Sequence, residues 1–199
     1  DRTPLFNVIP GSDTDLSATS SMDFDDDNVS GKLGVDYALS DDAMLYASYS
    51  RGYRGAAFNA QAFFSPDELG IAEPEEIQAV EAGFKSELFG RRVRFNGSAF
   101  WYEYENQQVL DVDPNTLVQS LVNLPKSRIV GVELDLQARA TDALGFSAAV
   151  GYTDSEVREG SSQGIDISGN RLISAPSFTV STSVDWSIPL GQWGAADAR

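Results

Sequence analysis

Apolar and polar residues alternate along most of the chain once the first 28 residues are passed. In residues 29–37, Leu33, Val35 and Tyr37 lie on one side and Asp36 on the other. Such alternation is typical of a β-strand with one apolar and one polar face. For the second segment the pattern does not tell which side faces outward. The sequence predicts seven strands, over residues 29–37, 44–51, 77–88, 93–106, 128–140, 144–153 and 178–188.

Short and long connections alternate between these strands. The short ones fall at 40–42, 89–90 and 141–143, where small or polar residues favour tight turns. Since every second connection is long, the pattern predicts an all-β, antiparallel up-and-down meander in which sequence neighbours pair. The predicted long connections are 52–76, 107–127 and 154–175.

The segment 77–88 has two interpretations, because its apolar residues also fall at helical spacing after an acidic start. Its neighbour, 93–106, alternates strictly and follows a tight connection at Phe89-Gly90. We therefore expect a hairpin whose two faces are chemically consistent. The predicted pairs are Leu88 with Arg91, Phe84 with Phe95 and Glu87 with Arg92.

A soluble β-sandwich also alternates, but two features favour a membrane barrel. The predicted strands run to about 9 to 14 residues, long enough to cross an apolar band when tilted. Sandwich strands are commonly about 5 or 6 residues long. Charges also stand in mid-strand on the less apolar face, where a water-filled lumen accommodates them. These mid-strand charges are Lys85, Arg94, Glu133, Asp135 and Asp185.

The alternation predicts which side chains face lipid and which face the lumen. The convex, lipid-facing set is Val80, Phe84, Phe95, Ala99, Val132, Leu134, Leu136, Phe146, Val150, Val180 and Val184. The concave set is Glu81, Lys85, Arg94, Asn96, Glu133, Asp135 and Asp185.

Composition narrows the function classes. Thirty Asp and Glu against fourteen Lys and Arg give a net charge of -16, which would repel nucleic acid. The absence of Cys and His among the 199 residues removes disulfides, thiol chemistry and imidazole-based triads or metal sites. No run approaches the about 20 apolar residues of a spanning helix. The first ten residues lack a signal-peptide pattern, so a cytosolic chain and a piece of a larger protein are both open.

Several segments together resemble the barrel of TonB-dependent outer-membrane receptors. Residues 45–54, LYASYSRGYR, followed by Phe58-Asn59, resemble a strand-to-loop signature of that family. The resemblance continues in order through almost the whole chain from residue 29. The further matching residues are Glu75, Glu81, Gly83, Lys85 and Glu87, then Phe100, Tyr102 and Tyr104, then Gly131-Val132-Glu133 and Gly151-Tyr152-Thr153.

The resemblance implies a bacterial outer-membrane barrel of about 22 strands, closed by an N-terminal plug. It implies import of a scarce nutrient, such as a ferric siderophore, a cobalamin or a glycan, driven by the TonB-ExbB-ExbD complex through the plug. It implies no catalytic residues, cofactor or resident metal. A passive porin-like or adhesin barrel and a soluble secreted β-protein are the alternatives. On this interpretation the chain is a fragment without plug or closing strand, with an extracellular loop at 1–28, strands and loops at 29–188, and a periplasmic turn at 189–199.

Aromatic and guanidinium groups near the second strand are candidates for contact with substrate, because they suit anionic or planar ligands. The alternative is that Tyr49 and Tyr53 belong to an interfacial aromatic belt and that Arg51 pairs with nearby carboxylates. The candidate ligand-binding residues are Arg51, Tyr53, Arg54, Phe58 and Asn59.

Three other clusters have simpler interpretations. Asp23, Asp25 and Asp27 have calcium-loop spacing, but Asn28 stands where that motif has Gly, which favours a solvated loop. The carboxylates at 73–76 are also expected to be solvated rather than catalytic. The predicted lipid-interface anchors are Trp101, Tyr102 and Trp186.

Overall fold

All regular structure in the described part of the chain is β-strand. The computed structural model describes residues 27–59, 70–112, 119–189 and 195–198. The strands are β1 (Gly31–Ser40), β2 (Ala43–Arg54), β3 (Ala57–Asn59), β4 (Gly70–Ala72), β5 (Glu75–Leu88), β6 (Val93–Val112), β7 (Gln119–Arg139), β8 (Leu144–Glu159), β9 (Ser161–Ser162), β10 (Ile165–Asp166), β11 (Phe178–Pro189) and β12 (Ala195–Ala198).

Eight of these strands form one antiparallel sheet in the order β1-β2-β5-β6-β7-β8-β11-β12. All seven predicted strands are present, and each pairs with its sequence neighbour along the meander, so the predicted topology is confirmed. Residues 77–88 form a strand and not a helix. The predicted turn at 189–199 was too long, because Ala195–Ala198 return as β12 beside β11.

Strands β6 and β7 form a hairpin that extends well beyond its neighbours. They contain 20 and 21 residues, and their pairing runs from Val93↔Ala138 to Val112↔Gln119. The predicted long connection at 107–127 is therefore wrong for most of its length. Alternation does not reveal these strands, because apolar residues stand at adjacent positions and therefore point to opposite faces, as in the pairs Val109↔Val122 and Leu110↔Leu121.

The predicted register of the β5–β6 hairpin was wrong by two residues. Leu88 pairs with Val93, so that Phe89 to Arg92 form a four-residue turn instead of a two-residue connection. An even shift keeps every side chain on its predicted face. Phe84 therefore still contacts Phe95, edge to face at 5.2 Å, although its direct partner is Gly97. Glu87, which was predicted to pair with Arg92, instead forms ion pairs with Arg94 at 3.1 Å and with Arg91 at 3.0 Å.

Cross-strand pairing assigns the two faces of the sheet, because directly paired residues point to the same side. Every residue predicted for the apolar face occupies one side of the sheet, and every residue predicted for the polar face occupies the other. The pairing also resolves β2, whose Leu45 and Tyr49 share the apolar face. One apolar row is Leu45, Phe84, Gly97, Leu134, Val150 and Val180, and the adjacent polar row is Met44, Lys85, Asn96, Asp135, Ala149 and Ser181.

The apolar face is exposed and has no second layer packed on it. Leu33 is 77% exposed, Val132 48% and Val180 57%, although each belongs to a continuous apolar surface. The few buried apolar residues include Leu124 and Val157 near the long connections. This arrangement places the main apolar surface outside rather than in a core. The described residues contain no helix long and apolar enough to cross a membrane.

The apolar surface ends in a charged band on the side of the long connections. Beyond Trp101, the next residue on the same face is Glu103, whose carboxylate pairs with Lys126 at 2.7 Å. On the neighbouring strand Arg128 pairs with Glu156 at 2.7 Å. These ion pairs mark where the surface ceases to suit hydrocarbon.

Candidate functional site

The polar face carries an ordered group of charged and aromatic side chains at mid-height. The Tyr46 hydroxyl donates a hydrogen bond to Glu81 at 2.7 Å, and Lys85 Nζ lies 5.5 Å from the centre of the Tyr46 ring. Asn96 Oδ1 is buried and has no hydrogen-bond partner. Tyr46, Lys85 and Asn96 border a shallow depression of about 430 Å³, which also reaches Glu133 and Asp135. A polar wall of this kind can contact a hydrated solute or a second protein element.

Two glycines allow aromatic rings to lie flat against this wall. A Cβ on Gly83 would lie 2.7 Å from the Tyr46 ring. A Cβ on Gly131 would lie 2.7 Å from the backbone oxygen of Tyr152 and would also meet the Phe100 ring. Close packing therefore explains why glycine occupies these two positions, which belong to the segments that resemble TonB-dependent receptors.

One predicted interface anchor lies on the wrong face for that role. Tyr102 is on the polar face and stacks on Phe100 with ring centres 4.8 Å apart. Its neighbour Trp101 and the distant Trp186 do lie on the apolar face, 36% and 51% exposed. Adjacent residues of a strand point to opposite sides, so Trp101 and Tyr102 could not both face lipid.

Two amides bind the connection between β2 and β5 to the β6–β7 hairpin. Gln108 is 7% exposed, and its Nε2 donates to the carbonyls of Gly55 and Glu73, each at 2.9 Å. Asn123 donates to the Glu73 carbonyl at 2.9 Å and accepts from the Glu73 amide at 2.7 Å. The backbone amide of Gln108 also donates to the Glu75 carboxylate at 2.7 Å. This part of the long connection is thus fixed on the hairpin.

The connection between β8 and β11 contacts the same hairpin near its tip. The Asp111 carboxylate accepts hydrogen bonds from Ser162 at 2.8 Å and from Gln163 at 2.9 Å. Within this connection, the Ser168 hydroxyl and backbone amide lower the pKa of Asp166 by hydrogen bonding to its carboxylate. The protruding hairpin thus joins two long connections on one side of the sheet.

The predicted ligand-binding residues lie near one end of β2 but do not share one face. Arg51 and Tyr53 lie on the apolar side of the sheet, and Arg51 forms an ion pair with Glu76 at 2.6 Å. Arg54 lies on the polar side, 3.9 Å from Glu75. In β3, Phe58 is 50% exposed. The ion pair of Arg51 agrees with the alternative expectation of carboxylate pairing, whereas ligand contact by the five residues, Asn59 included, stays a prediction.

Two of the acidic residues at 73–76 take part in ion pairs. These carboxylates were expected to be solvated, but Glu75 pairs with Arg54 and Glu76 pairs with Arg51. No group of three His, Cys, Asp or Glu side chains in the described ranges could hold a metal ion. The calcium-like spacing at Asp23 and Asp25 lies outside the described residues.

A single antiparallel sheet of long strands, exposed and apolar on one side and polar on the other, defines a section of an outer-membrane β-barrel wall. The sequence model of the family described as "TonB dependent receptor-like, beta-barrel" matches residues 6–199. The chain therefore belongs to this family of bacterial outer-membrane barrels, whose members are transport receptors. The eight strands form an open section and do not close a barrel.

Individual relatives agree with this family. The chain is 26% identical over 148 residues to the probable TonB-dependent siderophore receptor PiuA of Acinetobacter baumannii, covering 72% of this chain and 19% of that protein. It is 26% identical over 187 residues to the ferrioxamine B receptor of Salmonella typhimurium, covering 94% of this chain and 25% of that protein. The chain thus spans a quarter or less of the length of these relatives.

A solved structure shows the same fold. The ferric yersiniabactin uptake receptor FyuA of Yersinia pestis superimposes with a TM-score of 0.67 at 23% identity, covering 85% of this chain and 24% of that one. The strand order and alternation described above are therefore those of a receptor barrel wall.

Proposed function

We propose that this chain forms part of the barrel of a receptor that binds a scarce nutrient outside the cell and imports it actively. The observation that carries the proposal is the family match over residues 6–199, on a sheet whose two faces suit lipid and a polar lumen. The short turns lie on the periplasmic side and the long connections on the extracellular side. A plug domain elsewhere in the polypeptide couples the barrel to the TonB-ExbB-ExbD complex.

Ferric siderophores are the proposed substrate class. The relatives include a ferrioxamine B receptor and a probable siderophore receptor, and one structural neighbour is a ferric yersiniabactin uptake receptor. The extracellular side of this chain offers groups suited to planar or anionic ligands. Among the predicted contact residues, Arg54 and Phe58 are positioned best, because Arg54 lies on the polar face and Phe58 is exposed in the adjoining connection. Arg51, Tyr53 and Asn59 complete the proposed set.

Uptake by cells that produce the full-length protein tests the proposal. In a strain without its own siderophore receptors, iron-limited cells should accumulate radioactive iron from ferrioxamine B or ferric yersiniabactin. Deleting tonB, or collapsing the proton gradient, should abolish accumulation while the protein remains in the outer membrane. Accumulation that persists without energy would identify a passive porin-like barrel instead. If the cells take up neither of these complexes and no other ferric siderophore, the proposed substrate class is contradicted.

The contact residues have a matched test. Substituting Arg54→Ala and Phe58→Ala together should weaken binding of the transported siderophore, measured on the purified receptor in detergent. Asp41→Ala, in the exposed turn between β1 and β2 at the other end of the sheet, is the control and should bind normally. Equal affinities in all three proteins would exclude Arg54 and Phe58 from the site.

A further inference from the structure

Four arginines gather at the short-turn end of the polar face. Arg94 of β6 and Arg139 of β7 lie on that face, while Arg91 and Arg92 belong to the turn before β6. Together they border a recess of about 430 Å³ that also touches Gln137. Other residues around the recess are Ser147 and Asp185. Most of this lining belongs to the side that faces the lumen.

The local backbone holds these arginines in place. Phe89, Gly90 and Arg91 are three consecutive residues in the left-handed region, with φ of 54°, 64° and 67°. A positive φ is unfavourable for Phe and Arg, so the surrounding contacts must maintain this turn. The Arg139 amide donates to the Arg92 carbonyl at 2.7 Å and joins the turn to the neighbouring hairpin.

Side-chain ion pairs hold three of the four guanidinium groups. Glu87, on the polar face, pairs with both Arg91 at 3.0 Å and Arg94 at 3.1 Å. Arg92 pairs with Asp142 of the adjacent turn at 3.1 Å. None of these groups is sequestered, since the side chains of Arg91, Arg92 and Arg94 are 74%, 50% and 54% exposed.

The charge of the recess is opposite to that of the chain as a whole. The chain carries -16, and its polar wall at mid-height carries Glu81, Glu133 and Asp135 beside Lys85. The lining of the recess itself contains four arginines and one carboxylate, that of Asp185, while Glu87 and Asp142 pair with three of the arginines at its border. Exposed guanidinium groups fixed by shared carboxylates keep further donors for bidentate contact with another carboxylate.

We propose that this arginine recess docks an acidic segment of the same polypeptide, from the part that fills the barrel lumen beyond these 199 residues. The inference rests on the proposed function, which requires such a lumen-filling part. A segment inside the lumen meets Arg94 and Arg139, whereas inner-leaflet phospholipid would contact the apolar face, which carries Leu88 and Val93. The relatives are nearly four times as long as this chain, so ample polypeptide is available in such proteins.

Photo-crosslinking in living cells tests the proposal on the full-length protein. A photoreactive p-benzoylphenylalanine replaces Gln137, which lines the recess, and the crosslinked peptide is identified by mass spectrometry. We expect an intramolecular crosslink to a peptide outside residues 1–199 that contains Asp or Glu. Arg139→Glu should lower the crosslink yield about tenfold, because juxtaposed like charges strongly disfavour a contact. Reversing the crosslinked carboxylate to Arg should restore the yield.

Controls separate docking from misfolding and from the failure of transport. Arg158→Glu, at the other end of the sheet, should leave the yield unchanged, and heat-dependent gel mobility should show that each barrel is folded. If Arg139→Glu does not fold, Arg94→Gln takes its place and should lower the yield less steeply. A crosslink to lipid, to a separate protein or to a segment without carboxylates would overturn the inference, as would an unchanged yield in the folded variant. Siderophore uptake is measured in parallel: uptake without the crosslink contradicts only the docking, and the crosslink without uptake contradicts only the proposed substrate.

Discussion

At the scale of single residues, the alternation of faces makes neighbouring positions unequal. Phe95 lies on the apolar face against Phe84, while Asn96 lies on the polar face beside the mid-height depression. In the full-length protein, Phe95→Arg should destabilise the barrel by about 1–2 kcal/mol. A lipid-facing arginine costs about 2–4 kcal/mol at the bilayer centre and about 0–1 kcal/mol at the interfaces, and Phe95 lies between the two, next on the same face to Val93, which adjoins the turn. Asn96→Arg should be tolerated, because its charge keeps water. Urea unfolding in detergent or lipid vesicles measures both.

The two substitutions form their own control, since they add the same side chain to adjacent positions. Equal stabilities, or a greater loss for Asn96→Arg, would contradict the assigned register and the lipid-facing side with it.

A second residue-scale prediction concerns Gly131. Its missing Cβ leaves room for the Phe100 ring and for the Tyr152 backbone oxygen, which would lie 2.7 Å from a Cβ. Because that oxygen belongs to a paired strand, it cannot move cheaply, and Gly131→Ala should cost about 1–3 kcal/mol. Gly145→Ala is the matched control, because the nearest atoms to its Cβ lie 3.8 Å away. Similar unfolding midpoints for the two variants would show that the sheet relaxes around Gly131.

The candidate ligand site shows what single residues in a sequence could not reveal. Arg51 and Arg54 were grouped because they are close in sequence, but an odd separation in a strand puts them on opposite faces. The alternation in β2 is weak, since Tyr46 and Tyr49 are both aromatic and occupy different faces. Only the pairing of β2 with β5 shows which face each tyrosine occupies. The sequence likewise does not show which of the acidic residues at 73–76 pairs with Arg51 and which pairs with Arg54.

At the scale of elements, the β6–β7 hairpin supports the long connection between β2 and β5. Gln108→Ala should loosen that connection, because it leaves the Gly55 carbonyl without its side-chain donor and the Glu73 carbonyl with Asn123 alone, a loss of about 1–3 kcal/mol for buried groups. Hydrogen exchange at residues 55–59 and 70–74 should become faster, with the β5–β8 sheet unaffected. Gln119→Ala, at the exposed end of β7, should change nothing. Unchanged exchange in Gln108→Ala would mean that Asn123 alone holds the connection.

The same element explains where prediction from sequence succeeded and where it failed. Strands with an apolar face were found, because that face repeats at every second residue. The far part of β6 and β7 was missed because its apolar residues, such as Val109 and Leu110, are adjacent and therefore lie on opposite faces. The β5–β6 register was misplaced because the turn contains Phe89 and Arg91 at positive φ. Neither residue type signals a left-handed conformation, so a shorter turn looked sufficient.

At the scale of the whole molecule, the sheet of the described strands by itself leaves an apolar face uncovered and two edges unpaired. Its apolar face has no protein layer over it, and its two edge strands, β1 and β12, have unpaired outer sides among the described strands. A barrel removes the edges by closure and covers the apolar face with lipid. Strand number beyond this section was not readable from alternation, and came from the family resemblance alone.

These 199 residues, produced by themselves in buffer without detergent, should therefore aggregate. On the edge strand β1, Leu33, Val35 and Tyr37 are 77%, 64% and 65% exposed on the apolar face, beside a row of unpaired backbone groups. Exposed apolar edges of this length template pairing with other chains. Light scattering and analytical ultracentrifugation should show large, polydisperse particles that detergent micelles disperse.

Charge placed on the edge tests the physical cause of that aggregation. Val35→Lys should slow it clearly, because a lysine on the apolar face of an edge strand opposes both pairing and burial. Ala38→Lys adds the same charge to the same strand on the polar face, which is already compatible with water, and should slow it much less. If both variants aggregated at the same rate, net charge rather than the apolar face would govern association. A monodisperse, cooperatively folded monomer of the unmodified chain in plain buffer would refute the interpretation that this face is built for lipid.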